Sequence, residues 1–78
     1  MHLALILINT EMGAEDEVYQ TIQKINGVKE VYSVYGLYDI VAKVEAESMN
    51  ALREIVFSSI RRMDKVRSTQ TLMIAEKF

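Results

Sequence analysis

Apolar and polar positions alternate along residues 39–46, with Ile40, Ala42, Val44 and Ala46 on one side and Asp39, Val41, Lys43 and Glu45 on the other. A period of two marks a half-buried strand. The run before it, Val28 to Tyr35, is rich in β-branched and aromatic residues, and the two meet at Gly36-Leu37. This predicts a β-hairpin with strands over 28–35 and 38–46. A two-residue loop with glycine first suits a type II′ turn, since glycine tolerates the positive φ required there. That loop sets Tyr35 against Tyr38 and Glu30 against Lys43, a favourable cross-strand pair. A four-residue loop would instead set Glu30 against Glu45.

The other segments are read in the same way. Leu3-Ala-Leu-Ile-Leu-Ile8 is apolar on both faces, which predicts a central strand covered from both sides. Asn9 to Gly13 form a polar connection. Val18, Ile22 and Ile25 fall at i, i+4 and i+7, predicting a helix over 14–25. Its first turn holds Glu15, Asp16 and Glu17, and Gly27 follows as a C′ residue. Ser48 is a good N-cap for a second helix over 48–62, whose stripe is Met49, Leu52, Val56, Ile60 and Met63. Val66 to Glu76 reads as the last strand.

Val18, Ile22, Ile25 and Val28 recur 38 residues later as Val56, Ile60, Met63 and Val66, with Tyr19 answered by Phe57. The chain is thus β-α-β twice, which predicts an α+β, ferredoxin-like fold. A four-stranded antiparallel sheet of order 4-1-3-2 would carry both helices on one face. The repeat matches Ala4, Ile6 and Ile8 with Ala42, Val44 and Ala46, the face that meets the helices. Leu3, Leu5 and Leu7 then point to the opposite face, which no helix of this chain covers. Three leucines left in water forfeit roughly 1.5–3 kcal/mol each, so the row predicts an oligomer interface. For the last strand two signals conflict. The repeat turns Thr69, Thr71 and Met73 to the helices, whereas hydrophobicity prefers Leu72 and Ile74 there.

Seventy-eight residues form a single domain over 1–78, and a core that small is often supplemented by oligomerisation. A net charge of −2 gives no general attraction to nucleic acid or anionic membrane. The chain has no cysteine, and its longest apolar run is too short to span a bilayer. A cytoplasmic protein fits both facts.

Few residues offer chemistry. His2, the one histidine, has no companion for a metal site, and Glu11, Glu15, Asp16 and Glu17 read as helix-start acids. Ser58 and Ser59 have no base near them in sequence, so no catalytic residue, metal or cofactor is expected. Arg61, Arg62, Lys65 and Arg67 form a basic knot at the end of the second helix. RNA-recognition domains share this element order, but they stack bases on third-strand aromatics, and Asp39 to Glu45 contains none. The tip Gly36-Leu-Tyr-Asp39 offers backbone donors beside a carboxylate, enough to hold an amino acid's two charged ends.

Four stretches resemble one known family. Ile25-Asn-Gly-Val28, Val34-Tyr-Gly-Leu-Tyr-Asp39, Ser48-Met-Asn-Ala-Leu52 and Val66-Arg-Ser-Thr-Gln-Thr71 are similar to the ligand-binding (RAM) module of the Lrp/AsnC, or feast/famine, transcription regulators. The resemblance covers nearly the whole chain. It implies a ferredoxin-like module that dimerises through its sheet and assembles as dimers into rings, with amino-acid effectors between dimers. By resemblance, Gly36, Leu37, Tyr38 and Asp39 supply the loop side of the effector pocket, and Ser68, Thr69 and Thr71 are candidates from the last strand. Family regulators also carry a helix-turn-helix domain ahead of this module. This chain starts at the module's first strand, so it looks like a stand-alone form with no direct DNA binding. Leu37 stands where some relatives carry a polar or charged residue, which points to an uncharged effector side chain. The expected function is a non-enzymatic amino-acid sensor that acts through assembly with a full-length Lrp/AsnC-type regulator. The alternatives are a purely structural module and a small dimeric α/β-barrel enzyme.

Overall fold

The computed structural model describes residues 1–75. The chain runs β1 (His2–Thr10), α1 (Glu15–Gln23), β2 (Val28–Ser33), β3 (Ile40–Ala46), α2 (Met49–Glu54) and β4 (Val66–Met73), and α2 continues directly into a π-helical segment, Ile55–Ile60. The four strands form one antiparallel sheet in the order β2-β3-β1-β4, which is the expected ferredoxin-like arrangement.

The core forms where the helix stripes meet one face of the sheet. Ala4, Ile6 and Ile8 of β1 and Ile40, Ala42 and Val44 of β3 are fully buried there, under Val18 and Ile22 of α1 and Ile60 of the π-helical segment. Helix α1 is shorter than the apolar spacing predicts. Its end is carried on to Ile25 by single-turn bonds, Lys24 N–H to the Thr21 carbonyl and Ile25 N–H to that of Ile22. Gly27 therefore serves the turn into β2 rather than the helix cap, with φ at +101°. At α2 the Ser48 hydroxyl caps the helix by accepting from Ala51 N–H at 3.0 Å.

The hairpin has the expected register but not the tight turn. Glu30 lies opposite Lys43 and Ser33 opposite Ile40, and the Glu30–Lys43 ion pair spans 3.8 Å. The last rung is Val34 N–H to the Asp39 carbonyl, and Tyr35 to Tyr38 form an open tip instead of closing on one another. The reason lies in β1. Asp39 N–H donates to the Ile8 carbonyl at 3.0 Å, so the start of β3 is bound to the end of β1 and the tip beyond it is left without a partner strand.

Strand β4 resolves the conflict in its sequence. Thr69, Thr71 and Met73 pair with Ile8, Ile6 and Ala4, which puts them on the helix face, as the internal repeat implies. Leu72 pairs with Leu5 on the opposite face, and Ile74, whose N–H bonds the Leu3 carbonyl, continues that row. Hydrophobicity points the wrong way because both faces of this sheet are apolar. The last residue of the expected strand, Glu76, lies outside the described residues.

The open face is therefore a patch of Leu3, Leu5 and Leu7 flanked by Leu72 and Ile74 on one side and by Val41 and Tyr32 on the other. The ion pairs Glu30–Lys43 and Lys29–Glu45 stand along its β2 margin.

Candidate functional site

One end of the sheet gathers the polar chemistry. The last residues of β1, the residue before β3 and the first residues of β4 converge there on a cleft of about 360 Å³ lined by Asn9, Thr10, Asp39, Arg67 and Ser68. That size falls within the range of small-molecule sites. Neighbouring strands bring the residues together although 58 positions separate Asn9 from Arg67.

Asp39 is the fixed point. Its Oδ2 accepts from Thr10 N–H at 2.9 Å and lies 3.4 Å from the Thr10 hydroxyl. Thr10 is 6% exposed, and its amide sits where β1 leaves the sheet. An unpaired buried amide is costly, so the carboxylate has a structural task before any ligand arrives. The sequence reading sets Asp39 on a free hairpin tip. The structure instead draws it back against β1. Its second oxygen accepts no hydrogen bond among the described residues.

Ser68 faces Asn9 across the β1–β4 ladder, and the Asn9 amide donates to the Ser68 hydroxyl at 3.3 Å. That leaves the hydroxyl proton of Ser68 available to a ligand. From sequence alone Arg67 reads as part of the helix-end charge. The β1–β4 register shifts here, with Asn9 opposite Ser68 but Thr10 opposite Val66, so Arg67 is the extra residue of a β-bulge. Bulges re-aim side chains and recur beside functional sites. Nothing in the sequence announces the bulge, because it arises from pairing with a strand nearly sixty residues away.

The remaining expected residues are dispersed. Gly36, Leu37 and Tyr38 occupy the open tip next to Asp39, with Leu37 90% exposed. Thr69 and Thr71 are turned to the helix face. Thr71 lines a separate groove of about 270 Å³ with Met49, Leu52, Val56, Phe57, Met73 and Arg53. The structure thus joins Asp39 with Ser68 and leaves Thr71 apart from them within one subunit. No cluster of His, Cys, Asp and Glu able to hold a metal occurs among the described residues. No helix among them is long and apolar enough to cross a membrane.

The family model of the Lrp/AsnC ligand-binding domain matches residues 3–78. The chain belongs to this family. It is 36% identical to FFRP-DM1, whose crystal structure superposes with a TM-score of 0.92 over 95% of this chain and 99% of that one. It is 28% identical to a feast or famine regulatory protein of M. tuberculosis solved in complex with L-methionine. There the TM-score is 0.82, over the whole of this chain and 52% of that one. Over 60 residues, 77% of the chain, it is also 45% identical to the homocitrate synthase of Saccharolobus islandicus. The chain spans 13% of the length of that enzyme. The Lrp/AsnC ligand-binding domain is thus a unit related to transcription regulators, and a segment similar to it also occurs within an enzyme.

Proposed function

We propose that this Lrp/AsnC domain is a non-enzymatic cytoplasmic sensor that binds a small amino acid in the cleft at Asp39 and assembles through its open sheet face. One observation carries the reading: the cleft brings a carboxylate and a guanidinium to the two sides of one polar hollow. A zwitterion presents the complementary pair, and charge-assisted hydrogen bonds are the strong ones. The L-methionine bound to the M. tuberculosis relative supports the same class of ligand. The free oxygen of Asp39 receives the ammonium. Leu37 and Tyr38, on the tip beside it, form an apolar wall for an uncharged side chain. Thr69 and Thr71 belong to the site only through a neighbouring copy, which suits effector binding between dimers in a ring.

The face bearing Leu3, Leu5 and Leu7 is the dimer interface in this reading. It has the anatomy of one, an apolar centre with charged pairs at the margin. The signal then passes by assembly with a full-length Lrp/AsnC regulator. The identity to homocitrate synthase supports a second destination, in which the same sensor reports to an enzyme.

Thermal denaturation in the presence of each of the twenty amino acids tests the proposal. An effector at a hundred times its dissociation constant adds about 2.7 kcal/mol, a shift of ten degrees or more for a domain this small. If no amino acid raises Tm, the domain is a structural module.

A further inference from the structure

Resting on the amino-acid reading above, we infer that Arg67, set out of the β4 ladder by its bulge, is the receptor for the effector's α-carboxylate, with the Ser68 hydroxyl as its second donor.

Several features of the cleft point this way. Of its five lining residues Arg67 is the only cation, and among the described residues it makes no ion pair. A guanidinium offers parallel donors that match a carboxylate in two-point fashion, and an arginine already paired would not be free to do so. Ser68 adds a donor from the adjacent position, since its oxygen is already accepting from Asn9 while its proton is uncommitted. Asp39 faces them as the sole anion of the lining.

The order of the strands gives the cleft a direction. Asp39 precedes β3, Arg67 and Ser68 open β4, and β1 lies between them. Strands are spaced by about 4.8 Å, so the acceptor side and the donor side are about 10 Å apart at the backbone. Both side chains line the space between, so the two charged ends of one small zwitterion are met from opposite sides. A diamine would meet Arg67 with a like charge. A dicarboxylate would meet Asp39 in the same way. The cleft therefore selects the backbone of an amino acid and leaves the side chain to the Leu37–Tyr38 tip.

The test compares wild type, Arg67→Gln and Arg67→Lys by calorimetric titration with the strongest-binding of the twenty L-amino acids and with its α-carboxamide. Arg67 is exposed and outside the core, so equal melting temperatures without ligand are expected for all three proteins. Wild type should bind the acid at least tenfold more tightly than the amide. Arg67→Gln should lose about ten- to a hundredfold in affinity for the acid and bind the amide as wild type does. Arg67→Lys, which keeps the charge without the fork, should fall between. If Arg67→Gln binds the acid as tightly as wild type and still prefers it to the amide, the carboxylate is held elsewhere. The amino-acid reading then stands and the role of Arg67 falls. If no amino acid binds wild type, both fall together.

Discussion

Asp39 shows how much one side chain can hold. Its backbone N–H closes on the Ile8 carbonyl, and its carboxylate closes on Thr10, so the start of β3 is fastened to the end of β1 by two kinds of bond. Removing the carboxylate leaves the Thr10 amide unpaired in a site that is 6% exposed. Asp39→Ala should therefore cost about 1–3 kcal/mol of folding stability, in addition to weakening the effector. Urea denaturation measures the first effect, and an unchanged midpoint would mean that water replaces the carboxylate. This differs from what a residue on a free tip would do, where substitution scarcely touches stability. Gly27 is constrained in another way. A Cβ on it would come within 2.6 Å of Ile55 Cδ1 and 3.2 Å of the Glu45 carbonyl oxygen, at a φ of +101°. Gly27→Ala should destabilise by about 1–3 kcal/mol from backbone strain alone, visible as a lowered Tm.

At the scale of elements, local chemistry accounts for most of what forms. The Ser48 cap holds α2 at its start, and Ser48→Ala should cost about 1 kcal/mol, read from the same melting curves. The widened turn that follows is a different matter. Arg61 N–H bonds the Val56 carbonyl five residues back at 2.8 Å, and Leu52, Val56 and Ile60 still reach the core. Such a turn leaves the spacing of three and four residues intact, so the apolar pattern reads as α-helix throughout. The hairpin shows the converse. Its register follows from side-chain alternation and the Glu30–Lys43 pair, whereas the shape of its tip follows from a third strand.

For the whole molecule the decisive feature is a sheet with two apolar faces and helices for only one of them. The helix face is closed within the chain by Val18, Ile22, Val56 and Ile60. The other presents Leu3, Leu5 and Leu7 half-buried, and Leu72 45% exposed. If a second copy covers this face, Tm should rise with protein concentration, as linkage requires. Leu5→Lys places an ammonium in the middle of the patch and directly opposite Lys43. Burying it unpaired costs several kcal/mol, so sedimentation should show a monomer. The helix-facing core, which does not include Leu5, should keep that monomer folded. Retention of the wild-type assembly by Leu5→Lys would place the interface on another surface.

The order of elements, the hairpin register and the sheet order are legible in the amino-acid sequence alone. They depend on periodicity, capping and the recurrence of the apolar pattern after 38 residues, all local or self-similar signals. The sequence also marks Leu3, Leu5 and Leu7 as a row outside the helix-covered core. Which face of β4 meets the helices came from the strand pairing, since the internal repeat and the hydrophobicity of that strand point opposite ways. Tertiary structure likewise fastened Asp39 to Thr10 across 29 positions and lifted Arg67 out of its ladder beside Asn9. A hydrogen bond or a bulge between distant segments has no period to betray it, and it exists only once the strands have paired.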